Sequence, residues 1–141
     1  MPVISVTRLR VRSWRFLPVF VFSALRIGRQ AQNADGSLGV KIFRDRGNAF
    51  WTCTCWESEK AMKAFMLAKP HGLAMRKLLE WCDEAALVRW MQPDAELPSW
   101  TEAYRRLQQE GRPSKVNHPS EGHTAYTITA PGGTKSELRL K

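Results

Sequence analysis

Residues 3–12, VISVTRLRVR, alternate: Val3, Leu9 and Val11 fall on one side of an extended chain and Arg8, Arg10 and Arg12 on the other. This predicts a strand. The period then changes, and from Leu17 the apolar positions Phe20, Val21, Ala24, Leu25, Gly28 and Ala31 recur at helical spacing. Ser13 can cap that helix, Pro18 suits its first turn, and residues 33–36 end it. LGVKIFR, residues 38–44, alternates again around Leu38, Val40 and Ile42. Residues 45–48 supply a turn with Gly47 free to take positive φ, and AFWTCTCW, residues 49–56, completes a hairpin. Ser58 caps a helix whose inward members are Met62, Phe65 and Met66. Pro70 breaks it, a second piece over residues 70–82 turns Leu78, Leu79 and Cys82 inward, and AALVRWM, residues 85–91, is the last strand. The order is strand, helix, strand, strand, helix, strand. That is the ferredoxin-like α+β plait, a four-stranded antiparallel sheet carrying its helices on one face.

The plait occupies residues 1–93. Residues 94–98 read as a linker, and residues 100–109 as one more helix, with Arg105 and Arg106 exposed, within a C-terminal segment over 94–110 that packs on or near the domain. Residues 111–141 are rich in Gly, Pro, Ser and Lys, a flexible tail or a weak hairpin turning at Gly132 and Gly133. A hydrophobic share of 43% and six tryptophans in 141 residues suit one packed domain, because a disordered chain lacks the apolar surface to offset its ordering entropy. The net charge of +9 is concentrated early: residues 1–46 hold nine Lys and Arg against two acids. Such a balance favours anionic partners without choosing among them. Three cysteines do not make a disulfide framework and fit a reducing compartment. FLPVFVFSAL, residues 16–25, follows a basic start as a secretory segment would. Its helical stripe, and a run far short of the roughly 20 apolar residues a spanning helix needs, point instead to a soluble, cytoplasmic protein without a membrane span.

Candidate chemistry follows from the strand faces. In FWTCTCW, Trp51, Cys53 and Cys55 share one face and Phe50, Thr52, Thr54 and Trp56 the other. With helices on one face only, the cysteines are expected beneath them as small core residues. The threonine and aromatic set is then expected on the bare face, together with Arg8, Arg10 and Arg12 and with Lys41 and Phe43, where a partner must cover it. Cys-x-Cys without a second ligand pair is no zinc pattern, and neighbours on one strand face are poorly placed for a disulfide. The arginines can grip carboxylates by charge-assisted forks or form a solvated row. Glu57 suits a helix start. His118 and His123, in NHPSEGH, sit in the tail, where solvent exposure is the simpler reading, and no metal site is expected. Phosphate loops, nucleophile elbows and paired-carboxylate constellations do not occur.

The array VTRLRVRSW, LGVKIFRD, FWTCTCWES, AMKAFM and PHGLAM resembles the antibiotic-biosynthesis-monooxygenase-like proteins of the dimeric α+β barrel superfamily. More narrowly, over residues 3–118 and including ELPSW and GRPSKVNHPS, it is similar to an uncharacterised bacterial family related to spheroidene monooxygenase. The resemblance implies a homodimer closing sheet against sheet through the helix-free face. It implies a monooxygenase-like oxidoreductase, haem-dependent or not, acting on a small apolar or aromatic molecule. His71 matches a recurrent histidine and would be the catalytic residue, as haem ligand or as acid and base. Arg8, Arg10 and Arg12 would anchor an anionic group or haem propionates, and Phe50, Thr52, Thr54 and Trp56 would line the ligand space. Two alternatives stand beside this: a non-catalytic dimeric ligand-binding or interaction protein, and a basic module for single-stranded nucleic acid, which lacks a recognisable motif.

Overall fold

Strand β1 (Val3–Val11) is the centre of the sheet, pairing antiparallel with β3 (Ala49–Trp56) on one side and β4 (Cys82–Met91) on the other. β2 (Ser37–Arg44) pairs with the far edge of β3. The computed structural model describes residues 1–68, 71–132 and 137–141, with the side chains of residues 71–75 outside the described set. Helix α1 (Leu17–Asn33) joins β1 to β2, and α2 (Glu59–Leu67) and α3 (His71–Trp81) join β3 to β4. This is the βαββαβ plait expected from the periodicities.

The local signals act as their chemistry requires. Ser13 Oγ accepts from the Arg15 N–H and starts a short 3₁₀ turn ahead of α1, whose first turn takes Pro18. Gly47 adopts φ +67° and Asn48 φ +62° in the turn between β2 and β3. Ser58 Oγ accepts from the Ala61 N–H at the start of α2.

The sheet is wider than four strands. β5 (Arg112–Pro113) adds to β4 and β6 (Glu137–Arg139) adds to β2, giving the order β5-β4-β1-β3-β2-β6. The C-terminal segment is therefore tied down. Backbone N–H groups of Ser114, Asn117 and Ser120 donate to the carbonyls of Ala85, Leu79 and Asp83, and those of Leu140 and Lys141 donate to Val40. The tail pairs with distant strands because both outer edges of the plait offer unpaired backbone groups. Residues 127–132 form no strand, so the expected hairpin does not form there, and Gly133 lies outside the described residues.

Helices α1–α3 lie on one face of the sheet, packing onto Val3, Leu9, Phe50, Trp56 and Ala85. The other face is not bare. Helix α4 (Trp100–Glu110) covers it, placing Trp100, Ala103 and Leu107 against Ile4, Val6, Trp51, Cys53, Cys55 and Val88. Full burial of each large apolar side chain in that layer is worth about 1.5–3 kcal/mol. The face assignment drawn for β3 is thus reversed, while Arg8, Lys41 and Phe43 do lie on the face away from α1–α3. Cys53 and Cys55 are core residues, as expected, but beneath α4, and Phe50, Thr52, Thr54 and Trp56 point toward α1–α3. Alternation groups residues by face but does not say which group a crossover helix covers, and both groups on β3 are apolar enough for a core. Pairing sheet to sheet with a second copy would require α4 to move aside. Among the described residues no helix is long and apolar enough to cross a membrane.

Candidate functional site: a cavity between the sheet and helices α1–α3

Between the sheet and α1–α3 lies a cavity of about 390 Å³, within the size range of small-molecule sites. The sheet supplies its floor in two register rows. One runs Arg89, Ser5, Thr54, Val40 across β4, β1, β3 and β2, and the next runs Leu87, Thr7, Thr52, Ile42. Helix α1 supplies much of the roof through Phe20, Ala24, Ile27 and Gly28. Gly28 marks the close approach of α1 to the sheet: a Cβ there would stand 2.7 Å from Leu140 Cδ1 and 3.1 Å from Ile42 Cδ1, so those two side-chain ends would have to shift to admit one.

The walls are aromatic. Trp56 stacks on Phe65 with ring centroids 5.0 Å apart, and Phe50 meets Phe20 at 4.7 Å. Trp56 is held in place by its indole N–H, which donates to Thr54 Oγ1 at 2.9 Å. That leaves the Thr54 hydroxyl proton free to donate.

Arg89 is the unusual member of this lining. It stands in the middle of β4, where periodicity marks an apolar strand, and its guanidinium enters the cavity wall. One Nη donates to the thioether sulfur of Met66 at 3.1 Å, and its buried Nε has no hydrogen-bond partner among the described residues. A thioether is a weak acceptor. Burial, with nearby Arg112 adding to it, lowers the Arg89 pKa from its ordinary value. Among the described lining residues, Arg89 and Lys115 are the only ionisable side chains. Reading AALVRWM as a core strand gave no reason to single Arg89 out; the available signal was one cation amid apolar neighbours.

Of the residues expected to form a site, Phe50, Thr52, Thr54 and Trp56 do line this cavity together. Arg8, Arg10 and Arg12 do not join them. Arg8, only 4% exposed, lies on the α4 face, where its Nη1 sits 2.7 Å from Glu84 Oε1, with its Cζ 5.9 Å from the centre of the Trp51 ring. Arg10 reaches Glu84 Oε2 at 3.1 Å, and Arg12 reaches the Glu80 carbonyl and carboxylate. Burial pushes the Glu84 carboxyl up, but hydrogen bonds from Arg8, Ser120 and Arg10 outweigh it and hold the group below its ordinary value. Lys41 also faces α4, donating to the Pro98 carbonyl at 2.6 Å. The arginine row is therefore a structural ion-pair network that pins β1 to β4 and α3, and its acids Glu84 and Glu80 in turn hold Ser120, Asn117 and His118 of the C-terminal segment. The His71 side chain lies outside the described residues. His118 Nε2 lies 3.1 Å from Glu80 Oε1, and His123 Nδ1 accepts from the Ala85 N–H at 3.3 Å, so the two histidines serve separate contacts. The expected propionate anchors are thus committed to carboxylates away from the cavity, and the described residues do not fit haem.

Comparison with known proteins places this geometry in context. A family model described as a domain of unknown function, DUF3291, matches residues 24–127, about three-quarters of the chain. The chain belongs to that family. No curated protein matches the sequence. Solved structures share the fold at low identity. Rv0793 from Mycobacterium tuberculosis is 12% identical, with a TM-score of 0.61, over 67% of this chain and 97% of its own. SnoaB, a cofactor-independent oxygenase from Streptomyces nogalater, is 16% identical, with a TM-score of 0.53, over 66% and 94%. An antibiotic biosynthesis monooxygenase is 7% identical, with a TM-score of 0.58, over 65% and 99%. The chain thus has the α+β fold of the antibiotic-biosynthesis-monooxygenase-like proteins, widened by two edge strands and closed on its second face by α4.

Proposed function

We propose that this DUF3291 domain binds a small apolar or aromatic molecule carrying one ionisable oxygen, and oxidises it as a monooxygenase-like enzyme. The observation that carries the reading is Arg89, a cation at the wall of an aromatic-lined cavity whose Nε has no partner among the described residues. A buried donor without a partner costs about 1–3 kcal/mol, which an anionic ligand oxygen would recover. Trp56, Phe65, Phe50 and Phe20 would sandwich the ring or chain, and Ser5 and Thr54, in one register row with Arg89, would add hydroxyl donors.

Arg89 in this role stabilises the oxyanion of a phenol or enol and so favours its ionised, electron-rich form. Such an anion can itself reduce dioxygen. An activated ring CH₂ forms a carbon–oxygen bond to O₂, the resulting hydroperoxide loses water, and a C=O group remains. One oxygen atom enters the product, the other leaves as water, and the substrate supplies the electrons. The fold shared with SnoaB supports this class. His71 keeps its place in the proposal as the acid and base of this step, with no haem involved.

The scarcity of ionisable side chains among the described lining residues favours a second reading, a binding protein without chemistry. Oxygen uptake separates the two. Anthrone, whose enol carries one ionisable oxygen and whose ring CH₂ can take up the oxygen atom, should bind, consume dioxygen faster than in buffer, and incorporate label from isotopic O₂ as anthraquinone, with the rate lost in Arg89→Met. Tight binding without any added oxygen uptake would leave the binding-protein reading standing and remove the enzymatic one.

A further inference from the structure

Helix α1 is apolar on both of its faces. Phe20, Ala24, Ile27 and Ala31 turn toward the sheet and the cavity, as the core requires. The opposite side of a surface helix is ordinarily charged and polar. Here it carries Val19, Phe22 and Leu25, exposed to 41%, 64% and 41%, preceded by Trp14 at 75%. Spacings of three and four residues place Val19, Phe22, Arg26 and Arg29 on one line along the helix, with Leu25 beside it and Arg15 in the short turn just before it. Arg15, Arg26 and Arg29 are all exposed. At the far end the Gln30 side-chain amide donates to the carbonyls of Phe65 and Ala68, which brings Leu67, 84% exposed, alongside.

Exposed large apolar residues gathered on one helix face mark an interaction surface. Its charges choose the occupant. The first 34 residues contain no Asp or Glu, so the stripe is purely cationic and apolar. A second copy of this chain, docked symmetrically on α1, would oppose those arginines to one another with no carboxylate on this stretch to answer them. Aromatic residues, an apolar stripe and flanking arginines on one helix are what an anionic bilayer interface accepts: the side chains enter the headgroup boundary and the guanidinium groups meet phosphates.

We infer that the outer face of α1 docks on anionic lipid surfaces, the helix lying in the plane of the interface with Trp14 and Phe22 inserted. The roof of the cavity then rests on the membrane, and an apolar ligand reaches it without crossing bulk water. Docking stands independently of the chemistry proposed for the cavity.

Vesicle co-sedimentation tests it, using equal phosphatidylglycerol and phosphatidylcholine against phosphatidylcholine alone. The whole chain should sediment with the anionic vesicles, much less with the neutral ones, and should be released by high salt. Each of Arg15→Gln, Arg26→Gln and Arg29→Gln should weaken partitioning about fivefold. Phe22→Ser combined with Leu25→Ser should abolish it while the protein still unfolds in one cooperative transition, its melting temperature lowered by only a few degrees, because neither side chain is in the core. Absence of sedimentation with anionic vesicles would overturn the inference, and so would binding that survives the α1 variants. A dimer at micromolar concentration that Phe22→Ser dissolves would assign the stripe to a second copy instead.

Discussion

Replacing Arg89 by methionine should make the ligand-free protein more stable and the liganded protein weaker, opposite effects that follow from one geometry. In the free protein the Arg89 Nε is buried without a partner among the described residues and a neighbouring Nη rests on the Met66 sulfur. Removing an unsatisfied buried donor relieves about 1–3 kcal/mol, and methionine of similar length can pack beside Met66 without opening a void. In a domain of this size each kcal/mol moves the melting temperature by roughly 3–5 °C, so a rise of at least about 3 °C is expected in a ligand-free thermal melt. Binding moves the other way. A charge-assisted hydrogen bond is worth about 1.5–3 kcal/mol, so an apolar carboxylate such as decanoate should lose roughly 10- to 150-fold in affinity by titration calorimetry. The neutral decanol should bind both proteins alike. Arg89→Lys should keep much of the charge effect but lose the fork geometry. A lower melting temperature in Arg89→Met would show that the guanidinium is structurally satisfied and refute the reasoning. Equal decanoate affinity in the two proteins would show that the cation does not face the ligand.

Other expectations test the surrounding structure. The Glu84 pKa is depressed on folding, so its contribution to stability is complete above the unfolded carboxylate value, about 4.3, and fades as pH falls through the lower folded value. Glu84→Gln should therefore flatten the fall in melting temperature on the acid side, and Arg8→Met should cost about 3 kcal/mol at neutral pH by leaving that carboxylate short of a buried partner. Thr54→Val removes the acceptor of the buried Trp56 indole and should cost about 1–3 kcal/mol in urea unfolding, with altered tryptophan emission. Burial raises the Cys53 and Cys82 thiols to about 12, so neither should react with a thiol-specific disulfide reagent at neutral pH until denaturant exposes them. Added haemin should give no Soret band that depends on His71, measured by comparing the protein with His71→Ala.

The plait was readable because its signals are local. Alternation around Val40 and Ile42, the helical recurrence from Phe20 to Ala31, the caps at Ser13 and Ser58 and the turn glycine at Gly47 each depend on neighbours within a few residues. So did the grouping of Phe50, Thr52, Thr54 and Trp56, which alternation alone delivers. Arg8 and Arg89 could not be told apart by the same means. Each is one arginine in an apolar strand and each keeps an Nε without a partner among the described residues, yet Arg8 finds Glu84 on a neighbouring strand, 76 positions along the chain, while Arg89 faces the cavity and meets no carboxylate among the described residues.

What the sequence determined by itself, then, is the order of elements, their ends, and which side chains of each strand travel together, because backbone geometry imposes periods of two and 3.6 residues wherever the chain is regular. The tertiary structure alone decided which face each set meets, that α4 closes the second face, that the tail adds strands at both edges, and which arginine faces the cavity. Those outcomes depend on contacts between residues far apart in the chain, and no local period carries that information.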